Sequence, residues 1–215
     1  MRRGLGVVLG ALLVLSLGGT AAEARKPYHE KYQTTWVNVF WHSRERVDQD
    51  TFLRITWYAG AYDSGDEGFW SDAYRWVEQC QKGADRTRCH YQRGKSWYGY
   101  TTSTANNTFT LDKRLTDGRL DARYKLYRTA HRDRILVGTF HIVSDVAGTG
   151  DLTHGRSSWT QHEGCTTYQY SGTYRSRDGT ATGTLARGHQ AARDLGDTDD
   201  AYIGANQNVE IDHTC

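Results

Sequence analysis

The sequence has little proline, methionine or net charge. One Pro, Pro27, and one Met occur among 215 residues, and the formal net charge is +2. This usage excludes collagen-like, proline-rich and heptad-repeat proteins. The near-neutral balance also argues against a broad basic surface that binds nucleic acid non-specifically, so we predict no nucleic-acid partner.

Long hydrophobic runs are confined to the start of the chain. Arg2 and Arg3 precede the run VVLGALLVLSL, and Ala22-Glu23-Ala24 has the small-residue pattern of a cleavage site. We therefore predict a signal peptide over residues 1–24 and one secreted, extracellular domain over 25–215. No later apolar stretch approaches the roughly 20 residues that cross a bilayer, so no membrane span is predicted.

Motifs for hydrolytic catalysis are also missing. The sequence contains neither G-x-S-x-G nor H-E-x-x-H, and its nine histidines are scattered. A secreted hydrolase of polysaccharide or cell wall stays an alternative if its catalytic groups converge only in the folded chain. His154, His162 and Glu163 are the example considered for such a site.

Four cysteines are present, Cys80, Cys89, Cys165 and Cys215. An even number in an exported chain favours two disulfides, and three pairings are possible. We favour Cys80–Cys89, which closes a short segment, and Cys165–Cys215. The absence of C-x-x-C spacing argues against a zinc site.

Side chains of alternating character dominate the rest of the chain. In residues 120–126, LDARYKL, apolar side chains occupy every second position, as in a half-buried strand. Similar runs predict strands at 35–42, 51–62, 135–146, 157–162 and 202–211. We expect an all-β fold, an antiparallel β-sandwich or up-and-down barrel of about eight to ten strands.

Turn and helix signals interrupt this pattern. Asp-Gly predicts hairpin turns at 116–119 and 177–180. Residues 69–80 fit either a helix or a strand, and we favour a strand. Residues 188–196, GHQAARDLG, predict a short helix ending at Gly196.

Aromatic residues are abundant, with 14 Tyr, 7 Trp and 5 Phe. Trp97, Tyr98 and Tyr100 lie among small and polar residues, so they are candidate ligand contacts, with Asn106 and Asn107 as possible hydrogen-bonding neighbours. The alternative is that Trp97 and Tyr98 cap one end of the core. A second candidate ring group consists of Tyr58, Tyr62 and Trp70.

Charge is distributed unevenly along the chain. Basic residues predominate over 113–134, and acidic residues predominate over the last 22 residues. We interpret Arg123, Lys125 and Arg128 as an electrostatic face for an anionic partner. Two alternatives are a pair of solvated surfaces and self-association between the basic and acidic segments.

Two acidic segments are candidates for a structural calcium ion. One contains Asp63 and Asp66, and the other contains Asp197, Asp199 and Asp200. Neither matches the D-x-[DN]-x-[DN]-G loop, so no cofactor is predicted beyond this possible calcium.

Three segments, residues 108–115, 120–126 and 180–184, resemble those of uncharacterised secreted β-rich proteins of actinomycetes. The resemblance implies a secreted location and an all-β fold, without a reaction. Together with the aromatic groups, it leads to a non-catalytic binding or assembly module that contacts an extracellular glycan, a cell-wall polymer or a secreted protein.

Overall fold

The structure is a computed structural model that describes residues 28–64, 68–84, 86–130 and 133–213. It contains eleven strands and one short 3-10 helix over Arg93–Lys95. The strands are β1 (Tyr28–Arg46), β2 (Thr51–Ser64), β3 (Gly68–Lys82), β4 (Thr87–Tyr91), β5 (Trp97–Thr101), β6 (Thr108–Leu111), β7 (Asp117–Ala130), β8 (Asp133–Gly148), β9 (Thr153–Glu163), β10 (Thr166–Arg187) and β11 (Arg193–His213). The predicted signal peptide over 1–24 lies outside the described residues.

The strands form one antiparallel sheet that closes on itself. Its order is β1-β2-β3-β5-β7-β8-β10-β11, and β11 also pairs with β1, so eight strands make a ring. The short strand β4 pairs with β3, β6 pairs with β7, and β9 pairs with β10. The all-β antiparallel prediction is confirmed, and the closure corresponds to its barrel alternative.

Alternate side chains of the ring strands fill its interior. Strand β1 contributes Val37, Val39 and Trp41, and β7 contributes alternate residues from Leu120 to Leu126, all of them buried. An eight-stranded ring has an interior just wide enough for such side chains to fill it. The core therefore follows the period-two pattern, and residues of the opposite parity form the outer face.

Leu115 closes one end of the core from outside the strands. It lies in the turn between β6 and β7, is 1% exposed and has a φ of 57°. The Asp112 carboxylate accepts hydrogen bonds from the backbone N–H groups of Arg114, Thr116 and Asp117, which fixes this turn. The hairpin predicted here is confirmed, but its turn precedes 116–119, because Asp117 and Gly118 already pair in β7.

The hairpin predicted at 177–180 is wrong, because β10 runs straight through Asp178 and Gly179. Residues up to Ser176 pair with β9, and residues from Gly179 onward pair with β8. A Cβ atom at Gly179 would lie 2.6 Å from the Ala147 carbonyl oxygen. The glycine thus permits close approach to β8 at the point where β10 changes its neighbour.

The predicted helix over 188–196 is also wrong, since a turn joins β10 to β11. Gly188 and Gly196 have φ values of 58° and 84°. Gly196 does adopt the positive φ expected of a helix C-cap, but it does so beside a register shift between β10 and β11. Residues 69–80 lie in β3, which confirms the strand interpretation.

The Cys80–Cys89 disulfide is formed and joins two residues that pair directly across β3 and β4. This confirms one of the two predicted disulfides. The second includes Cys215, which lies outside the described residues, and Cys165 is not a free thiol. Within the described ranges, no helix is long and apolar enough to cross a membrane.

Candidate functional site

A row of aromatic residues crosses five neighbouring strands on the outer face of the ring. Phe40 pairs with Tyr58, Tyr58 with Tyr74, Tyr74 with Tyr98, and Tyr98 with Tyr127. The ring centroids of Phe40 and Tyr58 are 4.9 Å apart, and those of Tyr58 and Tyr74 are 5.5 Å apart. All five residues have the outward parity of their strands, so they lie side by side on one face of the sheet.

Further rings extend this surface along the strands. Tyr62 pairs with Trp70 at a centroid distance of 5.4 Å, and Tyr100 lies two residues beyond Tyr98 on β5. Tyr74, Tyr100 and Trp70 are 41%, 58% and 36% exposed, so large apolar ring surfaces face solvent. We call this surface the tyrosine face; it consists of Tyr58, Tyr62, Trp70, Tyr74, Tyr98, Tyr100 and Tyr127.

A buried carboxylate lies within the tyrosine face. Asp72 pairs with Gly60 on one side and Tyr100 on the other, yet it is only 5% exposed. Burial raises the pKa of Asp72 to about 6, although the hydroxyl group of Tyr74 favours its ionised form. Within the described residues, its Oδ1 atom has no hydrogen-bond partner. Such an orphaned acceptor is unusual in a native fold and calls for an explanation.

Gly60 explains how Tyr58 covers this carboxylate. A Cβ atom at position 60 would lie 2.1 Å from the Tyr58 Oη and 2.8 Å from the Asn38 Oδ1. The Tyr58 side chain therefore occupies the space that a larger residue at position 60 would need, and its hydroxyl donates to Asn38 Oδ1 at 2.7 Å. Burial is the main cause that raises the pKa of Tyr58, and it also raises the pKa of Tyr74, to about 12.

Arg134 supplies a positive charge at the β7 and β8 side of the tyrosine face. Its guanidinium carbon lies 4.0 Å from the ring centroid of Tyr127, 5.1 Å from that of Tyr98 and 6.0 Å from that of Tyr100. These are cation–π distances. The contacts hold the three rings together and place a donor group beside an exposed tyrosine.

The structure separates Trp97 from the other predicted contacts. Tyr98 and Tyr100 lie on the tyrosine face, but Trp97 has inward parity and packs 5.9 Å from Trp57 and 5.4 Å from Phe140. The alternative that Trp97 caps one end of the core is therefore confirmed for this residue.

The second predicted ring group, with Tyr58, Tyr62 and Trp70, lies on the same face as Tyr98. Tyr74 joins the two groups and was missed, because it stands alone in a segment that also fitted a helix.

Some of the predicted polar and basic ligand contacts are exposed on the outer face, and others are buried or held by structural hydrogen bonds. Arg123 and Lys125 are exposed on the outer face of β7, whereas Arg128 is half-buried and has inward parity. Asn107 is 6% exposed; it donates to the Ser103 carbonyl at 2.6 Å and accepts from the backbone N–H of Arg123 at 2.7 Å. These bonds hold the loop before β6, so Asn107 is not a free ligand contact. Its neighbour Asn106 has a φ of 63°, which suits a turn.

The residues considered for a hydrolase do not converge. His154 and His162 lie eight residues apart on the extended strand β9, which separates them by roughly 26 Å. Glu163 accepts a hydrogen bond from Gln161 at 2.7 Å, and His162 contacts Thr167 at 3.0 Å. The three side chains therefore form no common site.

A different histidine makes a triad-like contact. His42 lies 3.1 Å from the Thr56 hydroxyl through Nδ1 and 3.0 Å from Asp200 through Nε2. Thr56 is paired in the sheet with both β1 and β3, so the backbone around it is engaged in sheet pairing. Acyl transfer requires hydrogen-bond donors aimed at a developing oxyanion, and backbone groups engaged in sheet pairing are not available for that role. The contacts of His42 link β1 to β2 and β11 at their outer surface.

The acidic segments considered for calcium are only partly described. Asp63 is exposed at the end of β2, and Asp66 lies outside the described residues. Asp197, Asp199 and Asp200 lie within β11 rather than in a turn. No group of three His, Cys, Asp or Glu side chains in the described ranges is arranged to hold a metal ion.

No protein-family model matches the chain, and no curated protein matches it at a significant level. The resemblance to secreted actinomycete proteins stays a prediction. The tyrosine face is therefore interpreted from its own geometry.

Proposed function

We propose that the protein is a binding module for an extracellular glycan, with the tyrosine face as its binding surface. The observation that carries this proposal is the outward row of tyrosines on adjacent paired strands, with Tyr74 and Tyr100 exposed on either side of Asp72. Tyrosine rings bury large, flat, amphipathic surfaces and lose little conformational entropy on binding. Rings held on a closed sheet are positioned before the ligand arrives.

Polar groups near these rings support a sugar rather than a purely apolar ligand. The hydroxyl groups of Tyr74 and Tyr100 and the guanidinium of Arg134 can exchange hydrogen bonds with sugar hydroxyls. Asp72 pairs with Tyr100 across the strands, and its carboxylate favours an orientation in which the Tyr74 hydroxyl points toward it. A mostly aromatic surface with a few placed polar groups is typical of small-ligand sites.

Removing exposed rings should weaken retention on the glycan. We expect the double variant Tyr74→Ala/Tyr100→Ala to bind insoluble cellulose, chitin or peptidoglycan at least about tenfold more weakly, because each ring contributes about 1 kcal/mol. The measurement is a pull-down titration against each polysaccharide. Both residues are well exposed, so the variant should keep the thermal stability of the parent chain.

Tyr174 provides the matched control. It is 40% exposed, close to the 41% of Tyr74, but it lies on β10 away from the tyrosine face. Tyr174→Ala should leave retention unchanged. Equal loss in both variants, unchanged retention in the double variant, or no retention of the parent chain on any of the three polysaccharides would contradict the proposal.

A further inference from the structure

Four arginines of inward parity lie at one end of the closed sheet. Arg75, Arg128 and Arg187 each lie two residues from a buried interior residue on the same strand, namely Ala73, Leu126 and Leu185. Alternation along a strand gives each arginine the same inward parity. Arg193 pairs directly with Leu185 and belongs to the same set. We call this end, defined by Arg75, Arg128, Arg187 and Arg193, the arginine mouth.

An aromatic floor lies beneath these arginines. The rings of Trp57, Trp97 and Phe140 lie 5.4 to 5.9 Å from one another. The Arg75 guanidinium lies 4.5 Å from the Trp97 centroid, and that of Arg187 lies 5.7 Å from the Phe140 centroid. The guanidinium groups of Arg75 and Arg187 therefore lie over adjacent rings of one cluster. These rings shield one side of each guanidinium from water.

The positive charge of this end is only partly compensated. Burial is the main cause that lowers the pKa of Arg75; the Glu45 carboxylate raises it, and the charge of Arg193, a smaller effect, lowers it. In the described part of the chain, none of the four arginines forms a salt bridge. Arg75 donates to the Lys95 carbonyl at 2.6 Å and Arg187 to the Val137 carbonyl at 2.8 Å, and neither acceptor carries a charge.

We propose that the arginine mouth binds an oxyanion, the phosphate or carboxylate group of an anionic ligand. Guanidinium groups match the planar and bidentate geometry of such groups. Guanidinium groups above an apolar aromatic floor create a positive field that attracts anions. The mouths of closed sheets are also common places for ligands. This site is separate from the tyrosine face and does not depend on the glycan proposal.

Tryptophan fluorescence can detect the bound anion, because Trp57 and Trp97 form the floor. The full chain is titrated with inorganic phosphate and, separately, with glucuronate at low ionic strength. We expect a saturable change with at least one of them, and the one that saturates identifies the group. The double variant Arg187→Gln/Arg193→Gln should bind at least about tenfold more weakly; both side chains are exposed, so the fold should be kept.

The control is Arg156→Gln/Arg175→Gln, which removes the same charge from β9 and the part of β10 that pairs with it. It should bind as the parent chain does. Absence of saturable binding, or equal weakening in both double variants, would overturn the proposal. Tyr74→Ala/Tyr100→Ala should bind the anion normally, so failure of the arginine mouth and failure of the glycan proposal give different results.

Discussion

Replacing Asp72 by asparagine is expected to raise the free energy of unfolding by about 3 kcal/mol at pH 8 and to leave it nearly unchanged at pH 3. Burial raises the pKa of Asp72 from its ordinary value of 3.8 to about 6 in the folded chain. Between these values the unfolded chain loses the proton while the folded chain keeps it. Raising the pH through this window therefore destabilises the parent, whereas the asparagine side chain of the variant carries no charge to be buried.

Denaturant unfolding of both chains from pH 3 to pH 8 measures the effect. The difference between them should grow between about pH 4 and pH 6 and then stay constant. Asp63→Asn, on the exposed end of β2, is the matched control and should show no such growth. An Asp72→Asn chain that is less stable than the parent at pH 8 would contradict this prediction, because it would mean that hydrogen bonds to the carboxylate outweigh the cost of its burial.

The second large effect is expected at Leu115. Leu115→Ala should lower the free energy of unfolding by about 3 kcal/mol, because it removes a side chain that is 1% exposed from the end of the core. For a chain of this size, that loss corresponds to a fall in the melting temperature of roughly 10 °C. The test is thermal unfolding followed by circular dichroism.

Leu136→Ala serves as the comparison, because Leu136 is 52% exposed. It should change the melting temperature by no more than about 2 °C. Similar falls for both variants would mean that Leu115 does not close the core. Glycine at position 115 should cost less than alanine in backbone strain, since the φ of 57° suits glycine, but it also removes the buried Cβ atom that alanine keeps.

The fold was predictable where one strand's pattern decides it. Alternation in residues 120–126 correctly placed Leu120, Ala122, Tyr124 and Leu126 on the buried face. The turn predicted at Gly179 was wrong. An Asp-Gly pair suits a tight turn, but here the glycine permits the close approach of strand β8. Local chemistry does not reveal which strand will lie alongside.

The candidate site was predictable only in pieces, for the same reason. Tyr98 and Tyr58 were named as members of separate groups, yet both pair with Tyr74 across β3. Trp97 was grouped with Tyr98 as its neighbour in sequence, although adjacent residues of a strand point to opposite faces. The raised pKa of Asp72 follows from its burial between β2 and β5, which no spacing within one segment indicates.

The unpartnered Asp72 oxygen marks a position at which we expect the parent chain to lie below its stability maximum. A buried carboxylate costs free energy that asparagine would avoid. Such local disagreement with the rest of a well-formed sheet is expected at positions kept for function. The Asp72→Asn variant therefore tests the stability of the tyrosine face, and the retention experiment tests its binding of glycans.

The pairing of β11 with β1 has a consequence for how the chain acquires its shape. β1 is the earliest described strand and β11 the latest, so the ring stays open until these distant segments meet. Contacts so far apart in sequence require costly loop closure and slow the rate of folding. Until then both rims of the growing sheet expose unpaired backbone groups, and a chaperone that shields them should raise the yield of native protein.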